Sequence, residues 1–291
     1  MVASVDSRGD YILGTDEEEL ARLELQNQAW RPHVLECWRQ AGITNGSHVL
    51  DVGAGPGYAS LDLAALVGYC GRVTALERSP RFVAALEQTI CRHSIPNITV
   101  HRLDLMYDEL PRGDYDFSWC RWVATFVDDC AMLVAKLASV LCPGSVAVFH
   151  EYAQYATWRL APRLPIQEEF IQRVTDSWHA TGGDPDVALR LPLLLNKNGF
   201  RLRKIVPRIF CLRPTDTLWQ WLASFIDSGV RRLEALGFAD ANFAEELLTS
   251  FHAREEDGES WMISPLLVEI IAVKKARSQV AERKAAWPLF V

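Results

Sequence analysis

The sequence predicts an α/β fold in which a mostly parallel sheet is covered by helices on both faces. First, short apolar strands alternate with helix-length segments between residues 46 and 151, an order that is typical of parallel strands joined by crossover helices. Second, strands such as "VAVF", residues 146–149, lack polar alternation, which indicates burial on both faces. Third, a glycine-rich turn, "GAGPG" at residues 53–57, joins the first strand to a helix.

The chain before the first strand is expected to be helical. Thr15 is a candidate N-cap, and the acidic residues after it suit the positive end of a helix dipole. Pro32 predicts a kink or a break between two helices, because proline lacks the N–H that a helix interior needs.

From Ser47 onward the predicted elements follow in order. The strands are "HVLDVG", "RVTALE", "ITVHRL", "YDFSWC" and "SVAVFHE". The helices between them are "YASLDLAALVG", "PRFVAALEQTICRHS" and "DDCAMLVAKLASVLC". Gly68 and the "PG" after the last of these segments are helix-stop signals.

After Glu151 the alternation stops, and residues 152–198 and 215–250 are helical and rich in aromatic residues. Two further strands are predicted, with Pro265 near the start of the second, a position that an edge tolerates. The predicted regions are a covering helical segment at 1–45, a ligand-binding core at 46–151, a helical lid at 152–261 with one core strand at about 199–212, a last core strand at 262–275 and a tail at 276–291.

Composition narrows the function classes. The chain has 291 residues, a net charge of −7 and 49% hydrophobic residues, which is typical of a globular protein and disfavours a nucleic-acid surface. Seven cysteines without metal-ligand spacing predict reduced thiols. No signal peptide and no apolar run of about 18 residues is evident, so we expect a cytoplasmic protein without a membrane partner.

The glycine turn predicts a ligand that approaches the main chain. Glycines permit positive φ and let a ligand touch backbone amides at the end of a parallel strand. The spacing is GxGxG, and Tyr58 stands where a dinucleotide fingerprint has its third glycine. Asp51, two residues before the first glycine, would repel a pyrophosphate and attract an ammonium or sulfonium group.

The segment "DVGAGPG", with Glu77 and Asp104 in register after it, resembles the cofactor site of class I S-adenosylmethionine-dependent methyltransferases. In that family an acid at the position of Glu77 holds both ribose hydroxyls, and an acid at that of Asp104 binds the adenine amine, with Leu105 lining the base. The resemblance implies a Rossmann-like, seven-stranded, mostly parallel sheet with helices on both faces, an antiparallel last strand and an added helical lid. It also implies S-adenosyl-L-methionine as cofactor and S-adenosyl-L-homocysteine as product.

The resemblance extends over roughly residues 11–275 to a small-molecule subgroup of that superfamily. "YILGTDEEELARLELQ" is similar to its leading segment, in which an aromatic residue and a glutamine come near the cofactor. An arginine that follows the fourth strand could pair with the methionine carboxylate, or could be a structural residue. The cofactor-binding residues so predicted are Tyr11, Gln26, Asp51, Gly53, Ala54, Gly55, Gly57, Glu77, Arg78, Asp104, Leu105 and Arg121.

His150 and Glu151 end the fifth strand, at the edge of the sheet where ligands collect, and Glu151 is the less favoured of the two as a base. The pKa range of histidine suits a general base, so His150 is the candidate catalytic residue, with a hydrogen-bonded core histidine as the alternative. The histidines show no metal-ligand spacing, and no metal is expected.

These observations predict a methyltransferase that moves a methyl group by in-line displacement to oxygen or nitrogen, and less readily to carbon, of a small apolar or aromatic metabolite. The aromatic-rich region after the fourth strand lies over the methyl group in the family. A protein of the same fold that binds the cofactor in a regulatory or non-methylating role is the alternative. "CRWV" replaces the [DNS]PP[YFW] motif of nucleic-acid enzymes after the fourth strand, and a homodimer is left open.

Overall fold

The computed structural model describes residues 17–276. The helices are α1 (Glu17–Ala41), α2 (Tyr58–Val67), α3 (Pro80–His93), α4 (Cys130–Val140), α5 (Pro165–Ala180), α6 (Leu191–Lys197), α7 (Thr217–Leu236) and α8 (Ala241–Glu256). The strands are β1 (His48–Val52), β2 (Arg72–Glu77), β3 (Ile98–Arg102), β4 (Tyr115–Arg121), β5 (Leu141–Gln154), β6 (Arg159–Ala161), β7 (Phe200–Arg208), β8 (Cys211–Leu212), β9 (Trp261–Ile263) and β10 (Leu266–Lys274).

The main sheet has seven strands in the order β3-β2-β1-β4-β5-β10-β7. Strands β1 to β5 pair in parallel, and β10 is antiparallel to both β5 and β7. This confirms the predicted fold class, including the antiparallel last strand. The strand order reverses between β1 and β4, so the carboxyl ends of these strands open the crevice where ligands bind in such sheets.

Local signals place the helices around this sheet. At the start of α3, the Ser79 hydroxyl accepts from the Phe82 N–H at 3.4 Å and Pro80 occupies the first turn. At the start of α4, the Asp129 carboxylate accepts from the Met132 N–H at 2.9 Å. These caps fix the first residues of α3 and α4, the helices that follow β2 and β4, and in this way they shape the rim of the crevice.

The helix α1 continues through Pro32, so the predicted break is wrong. Trp30, Val34 and Trp38 lie one turn apart on the same buried face on both sides of the proline. Pro32 itself is exposed. Burial of this continuous face stabilises the helix more than the missing N–H of one exposed residue destabilises it.

The strand predicted at 262–275 is two strands in two sheets. β9 ends at Ile263 and β10 begins at Leu266, and β9 joins a second sheet in the order β6-β9-β8. Pro265 has no N–H with which to continue the hydrogen-bond ladder from one strand into the next. The N–H of the preceding residue, Ser264, donates to the Phe210 carbonyl at 2.9 Å. The strand predicted at about 199–212 is likewise two strands, β7 in the main sheet and β8 in the second sheet.

The sheet separates two apolar cores because side chains alternate along each strand. Val148 and Ile271 belong to the core on the side of α1, α2, α5 and α7, and Phe149 and Ile270 belong to the core on the side of α4 and α6. Within residues 17–276 no helix is long and apolar enough to cross a membrane, and no three metal-ligating side chains cluster.

Candidate functional site

A cavity of about 180 Å³ lies at the carboxyl ends of β1, β2 and β4, where the strand order reverses. Ten of the predicted cofactor residues line it: Gln26, Asp51, Gly53, Ala54, Gly55, Glu77, Arg78, Asp104, Leu105 and Arg121. Gly57 does not line it, and Tyr11 lies outside the described residues. These ten predicted residues, from Gln26 to Arg121, therefore meet at one cavity although they are up to 95 residues apart in the sequence.

The three glycines of the turn have three different roles. A Cβ on Gly55 (φ +57°) would meet nothing within 4 Å, so its main chain is open to the cavity. A Cβ on Gly53 would collide with Cγ2 of Val123, in the loop after β4. A Cβ on Gly57 would collide with Cδ1 of Leu86, so Gly57 lets the start of α2 lie against Leu86 of α3. The structure thus shows a packing role for Gly57, and its contact with the ligand stays a prediction.

Glu77 forms the rim of the cavity at the end of β2. One carboxylate oxygen accepts from the Gly55 N–H at 2.8 Å and the other from the Ser79 N–H at 2.7 Å. Burial raises the pKa of Glu77, and these N–H donors oppose the rise. A carboxylate offers about four acceptor sites, so each oxygen can still accept from a further donor.

Asp51 and Arg121 place opposite charges at the ends of neighbouring strands. Burial raises the pKa of Asp51 to about 6, opposed by a 2.6 Å hydrogen bond from the Ser60 hydroxyl and by attraction to Arg121. Burial also lowers the pKa of Arg121 to about 10. Its Nη2 donates to Asn27 at 3.3 Å, whereas its buried Nη1 has no hydrogen-bond partner within residues 17–276. An unpaired buried donor in a cavity wall fits a ligand carboxylate.

Asp104 follows β3 on the far side of the cavity. One carboxylate oxygen accepts from the Met106 N–H at 2.8 Å, and the other lies 4.0 Å from Nη1 of Arg78. The side chain of Leu105 is buried beside it. This corner combines an acceptor with an apolar wall, which suits a base with an exocyclic amine.

His150 lies outside the cavity, in the apolar core. Its ring centroid is 5.0 Å from that of Trp30, 5.4 Å from Trp122 and 5.9 Å from Trp119. Both ring nitrogens are buried without a hydrogen-bond partner in the described chain, and burial sets the pKa well below its usual value. A neutral ring behind two cavity tryptophans has no direct contact with a ligand. Its role as a base stays a prediction, and this geometry argues against it.

A second cavity adjoins the first and is lined mainly by aromatic rings. Its lining residues are Arg22, Gln26, Trp122, Phe126, Tyr152, Tyr155, Trp178, Trp221, Leu222 and Phe225. Gln26, Trp122 and Phe126 line both cavities, so the second cavity, about 20 Å³ in volume, lies directly beside the first. Trp122 stacks on Trp221 at 5.5 Å, and its φ of +52° is rare for a residue other than glycine.

Buried polar contacts hold α1 against α7 beside this cavity. Arg22 donates to both carboxylate oxygens of Glu19, at 2.6 and 2.7 Å. Oε1 of Gln26 accepts from Nε1 of Trp221 at 3.0 Å and from Arg22 at 3.3 Å. The sequence interpretation missed the Glu19–Arg22 pair within α1 and the division of the aromatic residues, which depends on contacts such as that between Gln26 and Trp221, 195 residues apart.

Two sequence comparisons find similarity to methyltransferases. Residues 49–144 match a family model described as "Methyltransferase domain". A relative from Thermoplasma volcanium, named "Probable cobalt-precorrin-6B C(15)-methyltransferase (decarboxylating)", is 29% identical over 148 residues, which are 50% of this chain and 72% of that protein. The region matched by the family model contains the glycine turn, Glu77, Asp104 and Arg121.

Solved structures share the fold at low identity. The [4+2]-cyclase SpnF is 16% identical with a TM-score of 0.54, over 86% of this chain and 83% of that one. Phosphoethanolamine N-methyltransferase 2 of Haemonchus contortus, in complex with phosphomonomethylethanolamine and S-adenosylhomocysteine, is 14% identical with a TM-score of 0.51. The match covers 85% of this chain and 53% of that chain, so the chain spans about half of that enzyme.

Proposed function

Because the chain belongs to the class I S-adenosylmethionine-dependent methyltransferase superfamily, we propose that it methylates oxygen or nitrogen of a small apolar or aromatic molecule. The protein is an S-adenosylmethionine-dependent methyltransferase, with S-adenosyl-L-methionine as cofactor and S-adenosyl-L-homocysteine as product. The acceptor atom and the class of substrate are the proposal. The observation that carries it is a small cavity of about 20 Å³, lined mainly by aromatic rings, that shares Gln26, Trp122 and Phe126 with the cofactor cavity.

The residues of the first cavity fit the cofactor. Glu77 has acceptor capacity for two ribose hydroxyls, and Asp104 with Leu105 suits the adenine. The unpaired Nη1 of Arg121 would hold the methionine carboxylate, and Asp51 would face the ammonium group. When bound, S-adenosylmethionine supplies a methyl group that its sulfonium makes electrophilic. The protein's remaining task is to orient an acceptor and to exclude water.

The second cavity favours acceptors that need little help from a base. Among the described residues that line it, the titratable ones are Arg22, Tyr152 and Tyr155. Arg22 is paired with Glu19, and burial raises the pKa of Tyr155, so neither takes up a proton at neutral pH. Phenolates, carboxylates and neutral amines meet this condition more readily than aliphatic hydroxyls or carbon. The relatives differ in the acceptor that their names state, carbon in one and nitrogen in another.

A transfer assay tests this proposal. We expect labelled methyl groups to move from S-adenosylmethionine to members of a panel of phenols, aromatic acids and aromatic amines, and not to aliphatic analogues of similar size. Glu77→Gln should weaken S-adenosylhomocysteine binding about 10- to 100-fold in calorimetry, because hydrogen bonds to a charged group are worth about 1.5–3 kcal/mol. The exposed Glu87 of α3 gives the matched control, Glu87→Gln, which should bind like the wild type.

Two results would contradict the proposal. Transfer to the aliphatic analogues alone would reject an aromatic acceptor. Tight S-adenosylhomocysteine binding without transfer to any compound would favour the non-methylating alternative for this fold.

The division into regions, the cytoplasmic location and the homodimer are kept as hypotheses of the sequence. Limited proteolysis, cell fractionation and analytical ultracentrifugation would test them in turn.

A further inference from the structure

One buried carboxylate outside both cavities accepts hydrogen bonds from the loop that follows β4. Oε1 of Glu151, on β5, accepts from the N–H groups of Val123 and Ala124, each at 2.9 Å. Oε2 accepts from the Thr125 hydroxyl at 2.9 Å and from the Thr125 N–H at 3.4 Å. The side chain of Glu151 is fully buried. Three successive main-chain donors therefore point at a single acidic side chain.

The same loop forms a wall of both cavities. Trp122, Val123 and Phe126 line the cofactor cavity, and Trp122 and Phe126 also line the aromatic one. Val123 lies so close to Gly53 that a Cβ on that glycine would collide with it. The position of this loop therefore sets the space beside the glycine turn and the space for the acceptor.

The loop N–H groups, and no cation, stabilise a negative charge on Glu151. In the described chain Glu151 forms no ion pair, and the titratable groups that face it are Cys120 on β4 and Cys130 on α4. Burial raises the pKa of both thiols, so both are neutral. Successive N–H groups that converge on an anion are a stabilising arrangement, and each hydrogen bond to a charged acceptor is stronger than one to a neutral acceptor.

We propose that Glu151 is a positioning residue whose ionised carboxylate holds the turn at residues 123–125 in the form that binds the cofactor. Loss of a proton from Glu151 and binding of the cofactor then favour each other, as linkage requires. This inference rests on the proposed cofactor site and adds to it a control of cofactor affinity by pH.

The balance of burial and hydrogen bonds gives the sign of the effect. Burial raises the pKa of Glu151 to about 7, opposed by the N–H groups of Val123 and Ala124 and by Thr125. Below that pH the carboxyl is neutral, accepts more weakly and restrains the loop less. Cofactor affinity should therefore fall as the pH decreases through about 7. Protonation of Asp51, whose pKa is about 6, would add a second loss at lower pH.

Calorimetry with S-adenosylhomocysteine between about pH 5.5 and 8.5 tests this. For the wild type we expect affinity to fall about tenfold from the high-pH plateau through pH 7. Glu151→Gln should bind about tenfold more weakly at high pH and should lose the step near pH 7, while it keeps the step that Asp51 contributes. Thr125→Val removes one donor to the carboxylate, so the wild-type step should move up by roughly half a pH unit.

Glu269→Gln is the matched control. Glu269 is also a fully buried carboxylate, on the adjacent strand β10, but it pairs with Arg208 at 2.9 Å and does not contact the loop. We expect this variant to be less stable than the wild type and to keep its pH profile of affinity.

The outcomes separate the two proposals. If the wild type binds and Glu151→Gln or, where that variant does not fold, Thr125→Val keeps the wild-type step, the inference about Glu151 is overturned and the cofactor site stands. If Glu269→Gln loses the step as well, Glu151 is overturned as its specific origin. If the wild type binds no S-adenosylhomocysteine at any pH, the cofactor site and the inference both fail.

Discussion

The two cavities share three lining residues but differ in the kinds of groups that line them. The cofactor cavity sets main chain and charged side chains, such as Gly55, Glu77 and Arg121, among apolar ones at the ends of β1 to β4. The adjoining cavity consists of rings that α5, α7 and the end of β5 contribute, such as Trp178, Trp221 and Tyr152. Recognition of the cofactor depends on a few polar atoms in fixed places. Under the proposed function, recognition of the acceptor would depend on the shape left between packed rings.

This difference predicts how each cavity responds to substitution. A hydrogen bond to a charged group is worth about 1.5–3 kcal/mol and is lost when one atom moves. A contact between aromatic rings is worth about 0.5–1.5 kcal/mol beyond the area it buries, and neighbouring rings can repack. Single substitutions should therefore be severe in the cofactor cavity and graded in the aromatic cavity.

The largest effect should come from Gly55→Val. The residue has φ of +57°, which a β-branched side chain disfavours strongly, and its Cβ would point into open space within the cavity. We expect affinity for S-adenosylhomocysteine to fall about a hundredfold or more in calorimetry.

Gly46→Val provides the control for backbone strain alone. Gly46 has φ of +85°, and a Cβ added to it would likewise meet nothing within 4 Å, but it lies in an exposed turn outside both cavities. This variant should lose stability and keep its affinity. An equal loss of affinity in both variants would show that strain, and no direct obstruction, explains the effect at Gly55.

An intermediate effect is expected for Phe225→Leu, which changes the aromatic cavity alone. Phe225 lines that cavity, is absent from the lining of the first, and packs against Trp178 at 6.4 Å. Affinity for S-adenosylhomocysteine should stay within about twofold, while KM for an acceptor found in the transfer assay should rise about three- to tenfold.

Phe251→Leu is the matched control for Phe225→Leu. Phe251 is fully buried and stacks on Trp219 at 5.9 Å, away from both cavities. It should lose stability without a change in KM. If both phenylalanine variants change KM equally, the aromatic cavity is not the acceptor site.

The smallest effect on turnover is expected for His150→Leu. A lost general base slows a reaction about a hundredfold or more, whereas this buried ring should be replaceable within about twofold. A hundredfold loss of kcat would restore His150 as the base.

The stability of His150→Leu should depend on pH differently from that of the wild type. The pKa of His150 is about 6.5 in the unfolded chain and well below this in the folded protein, mainly because of burial. Below pH 6.5 the unfolded wild type binds a proton that the folded form does not, so the wild type loses up to about 1.4 kcal/mol per pH unit. The variant lacks this loss. Urea unfolding at pH 7.5 and about 5.5 should therefore show the wild type falling further, and parallel losses would contradict the assignment.

The features that the sequence predicted are those in which neighbouring residues determine the structure. Asp51, Gly55 and the strand that precedes them act over a few positions, so the turn and its place on the sheet were readable. Pro32 was misread because its effect depends on Trp30 and Trp38 packing against distant elements. The same holds for Glu151, whose donors lie 26 to 28 residues earlier on another strand end. Contacts between distant parts of the chain therefore determine these features, and a local sequence pattern does not predict them.

His150 and Glu151 are consecutive on β5, and their side chains leave the sheet on opposite faces. The His150 ring packs among tryptophan rings. The Glu151 carboxylate accepts hydrogen bonds from the main-chain N–H groups of Val123 and Ala124. A slip of β5 by a single residue would turn each side chain to the opposite face, which would bury the carboxylate among aromatic rings at a cost of several kcal/mol. The pairings of β5 with both neighbouring strands contain register irregularities, at Tyr115/Phe117 and at Leu266/Leu267. The dipeptide His150-Glu151 is therefore expected to disfavour shifted registers of β5.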